Sequence, residues 1–143
     1  MSNLSLRLSE CMLEHNLDAK KLAILLNVHK ASIYRFLNNK RTPNYGCFIK
    51  MLYLFDCSAD YLLGIQEIPT NEPLHSILPF NERLRDILKK RKITQIQLIE
   101  GLPLSSSILY KWLKGTCEPS LDNLIRLSEY LECSVDFLIG RVR

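Results

Sequence analysis

Apolar residues recur along this chain at intervals of three and four, the spacing that places side chains on one face of an α-helix. Within residues 4–65 the pattern is interrupted by short polar stretches that divide it into five segments. We therefore predict five short helices, running from Leu4 to about His15, from Ala19 to Leu25, from His29 to about Asn38, from Asn44 onwards, and from Ser58 to a stop at Gly64.

The same pattern occurs a second time. Residues 80–141 align with residues 4–65 at a constant shift of 76 and without a gap. The ends agree best, since Cys57 to Gly64 reads CSADYLLG and Cys133 to Gly140 reads CSVDFLIG. Agreement over a span of this length indicates a duplicated domain. The second copy is therefore expected to hold the same five helices.

Helix-capping residues stand where the predicted helices begin. Asp18, Asn44 and Ser58 precede three helices of the first copy, and their side-chain oxygens can accept a hydrogen bond from an unpaired amide of the first turn. Thr94 to Gln97 reads TQIQ, which is a capping box. In the break between helices two and three, Asn27 tolerates a left-handed turn whereas the equivalent Pro103 does not, so the two turns must differ.

The third helix of each copy has one apolar face and one polar face. We expect its core to be formed by Ile33, Phe36 and Leu37 in the first copy and by Leu109, Trp112 and Leu113 in the second. Helices two and three are joined by a tight turn, which predicts a helix-turn-helix. The fold class is therefore all-α, with two tandem five-helix domains at residues 1–65 and 79–143 joined by a proline-containing linker at residues 66–78.

Composition narrows the class of protein further. No apolar run approaches the roughly 20 residues of a membrane span, and the N-terminus lacks the pattern of a signal peptide, so we expect a cytoplasmic protein. The five cysteines show no C-x-x-C spacing, which argues against a disulfide framework, a zinc site or any other metal site. Cys57 and Cys133 are interpreted as buried structural thiols. Each copy carries a net charge of +3, which suits a polyanionic partner.

Two segments and the CSxD-aromatic-LxG ending resemble a known family. The segment VHKASIYRFLNNKRTP at residues 28–43 and the segment LDNLIRL at residues 121–127 look like the third and fourth helices of the phage Cro and repressor family, the lambda-repressor-like or xenobiotic-response-element helix-turn-helix proteins. The resemblance extends over both copies. It implies a DNA-binding transcriptional regulator, most simply a repressor, whose third helix enters the major groove of double-stranded DNA without any cofactor.

Particular residues correspond to the family's DNA-contacting positions. Base-reading positions fall on Lys30, Ala31 and Arg35 in the first copy and on Ser106, Ser107 and Lys111 in the second. Backbone-contacting positions fall on His29, Asn38, Lys40, Arg41, Ser105 and Lys114, and Gln95 matches a glutamine that holds a phosphate. Tyr34 and Tyr110 lie on the same outward face as candidate groove contacts. Arg and Lys can donate to guanine O6 and N7, which makes the first copy the stronger sequence reader.

The sequence also departs from the family pattern. Ala19 stands where the family commonly has glutamine, and the second copy carries Ser105, Ser106 and Ser107 and has Glu118 in place of a basic loop. An alternative function therefore remains: a protein-interaction or antirepressor module in which one or both copies bind a partner. No enzyme is indicated, because the sequence contains no nucleophile-base pair or glycine-rich phosphate loop, and no small-molecule ligand is evident.

The duplication leaves the assembly open. One chain can act as a single-chain pseudo-dimer on an asymmetric site, since the two third helices differ. In the other arrangement, second copies from two chains pair with each other, and the resulting homodimer reads a palindrome with two first copies. We favour the homodimer, because small repressors are usually two-fold symmetric.

Overall fold

The computed structural model describes residues 3–143, and within that range all regular structure is helical. The all-α prediction is therefore confirmed. The chain separates into two compact units, which we call unit 1, ending at Asn71, and unit 2, beginning at Glu72. No helix in the described range is long and apolar enough to cross a membrane.

Each unit contains five helices within the described residues. Those of unit 1 are α1 (Leu4–Glu14), α2 (Ala19–Leu26), α3 (Lys30–Leu37), α4 (Tyr45–Phe55) and α5 (Ala59–Leu62). Those of unit 2 are α6 (Phe80–Arg91), α7 (Gln95–Gly101), α8 (Ser106–Lys114), α9 (Leu121–Tyr130) and α10 (Val135–Ile139). Every predicted helix is present, with ends within about two residues of the expected ones.

Side-chain caps explain why the helices begin where they do. The predicted caps all accept the backbone N–H of the residue three positions ahead, at 2.8 Å for Asp18 and Asn44, 3.2 Å for Ser58 and 3.1 Å for Thr94. The capping box is complete, because the Gln97 side-chain oxygen accepts the Thr94 N–H at 2.9 Å. Each such cap stabilises its helix by about 1 kcal/mol, which matters in domains of this size.

Each unit has its own apolar core. Unit 1 buries Leu8, Leu22, Leu26, Ile33, Phe36, Phe48, Met51, Leu52 and Leu62, and unit 2 buries Leu84, Leu98, Leu109, Trp112, Leu113, Leu124, Leu127 and Leu138. The expected core of α8 is thus confirmed in full. In α3 the expectation is wrong for Leu37, which is only half-buried. Leu37 is the last residue of α3, whereas the equivalent Leu113 is followed by a further helical residue, Lys114.

In each unit, an arginine of the first helix contacts the last helix. The Arg7 guanidinium lies 4.0 Å from the centre of the Tyr61 ring and donates to the Tyr61 carbonyl at 3.0 Å. In unit 2 the equivalent Arg83 lies 4.4 Å from the Phe137 ring and donates to the Phe137 carbonyl at 2.9 Å. The repeat therefore preserves a contact between distant parts of the chain that helical periodicity alone does not reveal.

The two turns before the third helices differ, as predicted. Asn27 adopts a left-handed conformation with φ 55°, which ends α2 directly. In unit 2, α7 ends at Gly101, Leu102 is extended with φ −122°, and the Leu104 N–H bonds to the Leu102 carbonyl. Pro103 therefore forces a different backbone conformation between the second and third helices of unit 2, because its ring excludes positive φ.

Part of the expected linker belongs to unit 2. The His75 N–H donates to the Arg141 carbonyl at 2.8 Å, and the Leu78 N–H donates to the Ile139 carbonyl at 3.1 Å. Gly140 has φ 81°, and a Cβ there would come within 2.9 Å of the Leu78 side chain, so glycine is required on both counts. Residues 75–78 are therefore held against the end of α10 instead of spanning freely between the units.

Two of the cysteines are less buried than expected. Cys57 and Cys133 are intermediate in exposure, so the prediction of buried thiols is wrong for both. A hydrogen bond from the Cys57 side chain lowers the pKa of the Cys11 thiol, whereas burial raises the pKa of the Cys47 thiol. Within residues 3–143, no group of three or more His, Cys, Asp or Glu side chains is arranged to hold a metal ion.

Candidate nucleic-acid interface

The candidate interface is the outward face of α3 in unit 1 and of α8 in unit 2. Ile33 and Phe36 anchor α3 in the core with 0% and 4% of their surface exposed, which turns the opposite face to solvent. That face carries the five predicted residues of α3 and its start, all of them exposed: His29, Lys30, Ala31, Tyr34 and Arg35. Leu109 and Trp112 anchor α8 in the same way.

The chain after α3 turns back toward the helix. Asn39 is left-handed, with φ 57°, and the N–H groups of Lys40 and Arg41 donate to the Arg35 carbonyl at 2.8 and 3.3 Å. These bonds bring the backbone of the basic turn to the last turn of α3. Arg35, Lys40 and Arg41 are therefore clustered, and their side chains are exposed.

The corresponding turn of unit 2 has the same backbone and different chemistry. Gly115 is left-handed, with φ 84°, and the Thr116 N–H donates to the Lys111 carbonyl at 3.0 Å. Thr116, Cys117 and Glu118 stand where unit 1 has Lys40, Arg41 and Thr42. The two units therefore share the left-handed turn after the third helix, but unit 2 lacks its two positive charges.

Four cations on and after α3, namely Lys30, Arg35, Lys40 and Arg41, have no ionic partner in the described part of the chain. The ion pairs found there join Arg7 to Glu10 at 3.6 Å, Arg83 to Asp86 at 3.9 Å and Lys90 to Asp86 at 3.1 Å. None involves Lys30, Arg35, Lys40 or Arg41. Four exposed cations on and just after one short helix, without ion pairs to acids among the described residues, produce a positive potential that attracts a polyanion.

Some predicted residues also have a structural role. His29 is the N-cap of α3, and its Nδ1 accepts the Ala31 N–H at 3.2 Å. Ser105 is the N-cap of α8, and its hydroxyl accepts the Ile108 N–H at 3.1 Å. Both side chains are exposed at the start of the helix. Asn38 is the C-cap residue of α3, so three of the predicted contacts lie at helix ends.

Each tyrosine of the face lies close to a lysine four residues away. The Lys30 ammonium lies 5.8 Å from the centre of the Tyr34 ring, and the Lys114 ammonium lies 5.5 Å from the centre of the Tyr110 ring. A cation at this distance from the face of a ring is weakly attracted to it.

Unit 2 has a cleft beside α8. The cleft has a volume of about 630 Å³ and is lined by Arg85, Leu88, Ile93, Thr94, Gln95, Tyr110, Leu113 and Lys114. It brings together three residues predicted separately from the sequence, namely Gln95, Tyr110 and Lys114. Arg85 was not predicted as a site residue. The sequence signal that could have pointed to it was its exposed position in α6, where it stands beside other acidic and basic residues of that helix.

The basic residues at the end of α6, Lys90, Arg91 and Lys92, have structural roles. Lys90 pairs with Asp86, and Arg91 donates to the Leu131 carbonyl and lies 5.7 Å from the Phe137 ring. Lys92 is left-handed, with φ 56°, and forms the C-cap of α6. This run therefore stabilises the end of a helix, and it is not among the candidate contacts.

A family model matches part of the chain. Residues 83–142 match the family model of the Cro/C1-type HTH DNA-binding domain. The resemblance to the Cro and repressor family is thereby confirmed over residues 83–142, which contain the second helix-turn-helix.

Three characterised proteins are similar to part of the chain. Repressor protein C2 of Salmonella phage P22 is 38% identical over 58 residues, HTH-type transcriptional activator BcrR of Enterococcus faecalis 31% over 63, and HTH-type transcriptional regulator DicA of Escherichia coli 36% over 62. The matches span 41%, 44% and 43% of this chain, but only 27%, 31% and 46% of those proteins.

Among solved structures, that of a transcriptional regulator from Listeria innocua aligns with 92% of this chain and 96% of its own, at 19% sequence identity and a TM-score of 0.44.

Proposed function

We propose that this protein is a sequence-specific DNA-binding transcriptional regulator, acting as a repressor. The observation that carries the proposal is the exposed, unpaired cation cluster of Lys30, Arg35, Lys40 and Arg41 on and after α3. The family match of unit 2 and the repressor among the similar proteins support the same function.

In this proposal α3 lies in the major groove of double-stranded DNA. Lys30 and Arg35 would donate to guanine O6 and N7, and the Ala31 methyl would contact a thymine methyl. Lys40 and Arg41 would bind the phosphates that flank the groove, because the turn holds them beside the end of α3. Base readout and phosphate contacts thus come from adjacent parts of one short segment.

Unit 2 would contact DNA with less sequence discrimination. Ser106 and Ser107 stand at the positions of Lys30 and Ala31, and a serine hydroxyl, which both donates and accepts, discriminates poorly between bases. Lys111 retains one base-reading cation. Ser105, Gln95 and Lys114 would then serve mainly as phosphate contacts.

The salt dependence of DNA binding tests the proposal. A protein that neutralises six to ten phosphates loses about a thousandfold or more in affinity between 50 and 200 mM salt. Binding of the full chain to a random duplex, followed by fluorescence anisotropy over that range, should show such a loss. Absence of binding at the lowest salt concentration would reject the proposal, and binding insensitive to salt would contradict its electrostatic basis.

We further propose that each unit is an independently folding domain. The separate cores and the arginine contact within each unit support this assignment. Because residues 75–78 bond to unit 2, limited proteolysis should cut the chain between Gln66 and Leu74 and leave two stable fragments. Cleavage first inside a helix of either unit would contradict this division.

A second candidate function, protein binding, is favoured by exposed aliphatic residues on unit 1. Leu6, Leu13 and Ile24 are 61%, 79% and 71% exposed, and the equivalent residues of unit 2 are Glu82, Lys89 and Glu100. The natural occupant is a second copy of the chain, as in the homodimer favoured from the sequence. These three aliphatic side chains lie on unit 1, whereas the arrangement favoured from the sequence pairs second copies; unit 2 exposes Ile96 and Ile108, at 68% and 39%.

Sedimentation velocity with and without DNA tests the assembly. If unit 1 forms the contact, the double variant Leu13→Lys and Ile24→Glu should shift a dimer to a monomer without loss of helicity, because both side chains are exposed. The matched control is Lys89→Ala, at the equivalent place in unit 2. A complex of one wild-type chain with one duplex would instead support the single-chain pseudo-dimer.

A further inference from the structure

Two cysteine side chains of unit 1 meet between α1 and the end of α4. Cys11 lies within α1 and is 2% exposed, whereas Cys57 lies between α4 and α5 and is partly exposed. The two side chains form a hydrogen bond. The sulfur atoms are therefore neighbours in the fold, although the residues are 46 positions apart in the chain.

Contacts on both sides of Cys11 hold this part of α1 against the chain that follows α4. Four residues before Cys11, the Arg7 guanidinium lies 4.0 Å from the centre of the Tyr61 ring. Four residues after Cys11, the centre of the His15 ring lies 5.2 Å from the centre of the Phe55 ring. Residues at intervals of four share one face of a helix. This face of α1 therefore lies along the segment between the two aromatic rings, which contains the partner cysteine.

The two thiols differ in reactivity and in access to solvent. The hydrogen bond from Cys57 lowers the pKa of the Cys11 thiol and outweighs burial, which raises it. A thiolate is the nucleophile in disulfide formation, so this hydrogen bond favours attack by the Cys11 sulfur. Cys57 is the more exposed of the two, so an oxidant in solvent reaches it first. An accessible thiol beside a second, resolving thiol is typical of redox-sensing cysteines.

Unit 2 supplies an internal comparison, because it has only one of the two cysteines. The equivalent of Cys57 is Cys133, which also follows the fourth helix of its unit and is intermediate in exposure. The equivalent of Cys11 is Ile87, which is 3% exposed. The arginine–aromatic contact one helical turn earlier is present in both units. The scaffold is thus shared, and the second thiol at this place belongs to unit 1.

We propose that Cys11 and Cys57 form a reversible disulfide on reaction with hydrogen peroxide, and that this bond locks α1 to the segment between α4 and α5. The Cys57 sulfur attacks one oxygen of the peroxide and breaks the O–O bond, which gives a sulfenic acid at Cys57 and, after proton transfer, one water. The Cys11 sulfur then attacks the Cys57 sulfur. The S–S bond forms, the S–O bond breaks, and the hydroxyl leaves with the Cys11 proton as a second water. The two thiols lose two electrons in all, and the peroxide gains them.

The first experiment counts and maps the thiols. The full chain is treated with a small molar excess of hydrogen peroxide at low protein concentration, then denatured, alkylated and digested for mass spectrometry. We expect the loss of two of the five thiols, one cross-linked peptide pair that contains Cys11 and Cys57, and full recovery of the thiols with dithiothreitol. Cys57→Ser should abolish the cross-link. Cys133→Ser, the same change at the equivalent position of unit 2, should retain it.

The second experiment measures the lock. A disulfide stabilises a fold mainly by restricting the unfolded chain, and more strongly when it closes a longer loop. A bond across 46 positions in a domain of this size should raise the melting temperature of unit 1 by about 10 °C or more. Melting curves followed by circular dichroism compare the oxidised chain with the same chain in dithiothreitol. Peroxide-treated Cys57→Ser should show no such rise, and its spectrum before treatment checks that it is folded.

The proposal fails if the peroxide-treated chain contains a different pairing, a disulfide between chains, or a sulfenic acid at Cys57 without a cross-link. It also fails if the cross-linked chain melts at or below the temperature of the reduced chain, because the bond then locks nothing. If Cys57→Ser does not fold, the wild-type map and its reversal by dithiothreitol decide the proposal, since neither needs a variant. None of these measurements uses DNA, so the outcome is independent of the proposed function.

Discussion

Units 1 and 2 share one scaffold and differ in the surface built on it. The arginine that joins the first and last helices, its ion pair one helical turn later, and the left-handed turn after the third helix occur at equivalent residues in both. The outward faces have diverged, with Lys40 and Arg41 in unit 1 replaced by Thr116 and Cys117 in unit 2.

The comparison of the two units shows that buried and exposed positions are under different constraints. Buried positions and caps retain their chemistry, because exchanging them costs stability in a small domain. Exposed positions change freely unless a ligand restrains them. The exposed cations differ in place between the units, since Lys40 and Arg41 lie in the turn of unit 1, whereas Arg85 and Lys114 line the cleft of unit 2.

The largest expected effect tests whether the two cores are independent. Phe36 and Trp112 are equivalent and 4% and 2% exposed, and replacing such a residue with alanine costs about 3 to 5 kcal/mol. Phe36→Ala should therefore unfold unit 1 while leaving the fluorescence transition of Trp112, the sole tryptophan, at its wild-type denaturant midpoint. A midpoint that falls with Phe36→Ala would show that the units fold as one.

The next-largest expected effect is a difference in stability loss between two equivalent leucines. Leu113 is 7% exposed, whereas Leu37 is half-buried. Leu113→Ala should lower the free energy of unfolding of unit 2 by about 2 to 5 kcal/mol, as for a buried leucine, and Leu37→Ala should cost unit 1 distinctly less. Urea denaturation followed by circular dichroism measures both. Equal losses would mean that Leu37 is as well packed as Leu113.

A smaller effect distinguishes the roles of two cations in unit 1. Arg35→Ala should weaken binding to a selected operator by about 1 to 3 kcal/mol and relax discrimination at one base pair. Lys40→Ala should weaken binding to all sequences alike and lower the salt slope by about 0.9. Competition binding with a randomised duplex library compares the two variants. Identical behaviour would remove the distinction between base and phosphate contacts.

The smallest expected effect comes from giving unit 2 the residue that unit 1 has at the position equivalent to Lys92. Lys92 and the equivalent Asn16 are both left-handed, with φ of 56° and 54°, and asparagine adopts this conformation at lower cost than lysine. Lys92→Asn should therefore stabilise unit 2 by about 0.5 to 1 kcal/mol, raising its Tm by a few degrees. A calorimetric scan of the full chain provides the measurement, and a lower Tm would show that the Lys92 side chain has a structural contact.

The sequence by itself determined the local features of this protein. Helix positions follow from the 3.6-residue period, and helix starts follow from caps such as Asp18 and Thr94, because these interactions act within a few residues of the chain. The repeat, the different turns at Asn27 and Pro103, and the outward position of Arg35 also follow from local patterns.

Only the tertiary structure decided the contacts between distant residues. It showed that Leu37 is half-buried, that His75 pairs with Arg141, and that Arg85 lies in the same cleft as Lys114. Periodicity reports which face of a helix is apolar, but not which other segment covers it. Packing between elements far apart in the chain sets that, and it is why the cleft became visible only in the folded domain.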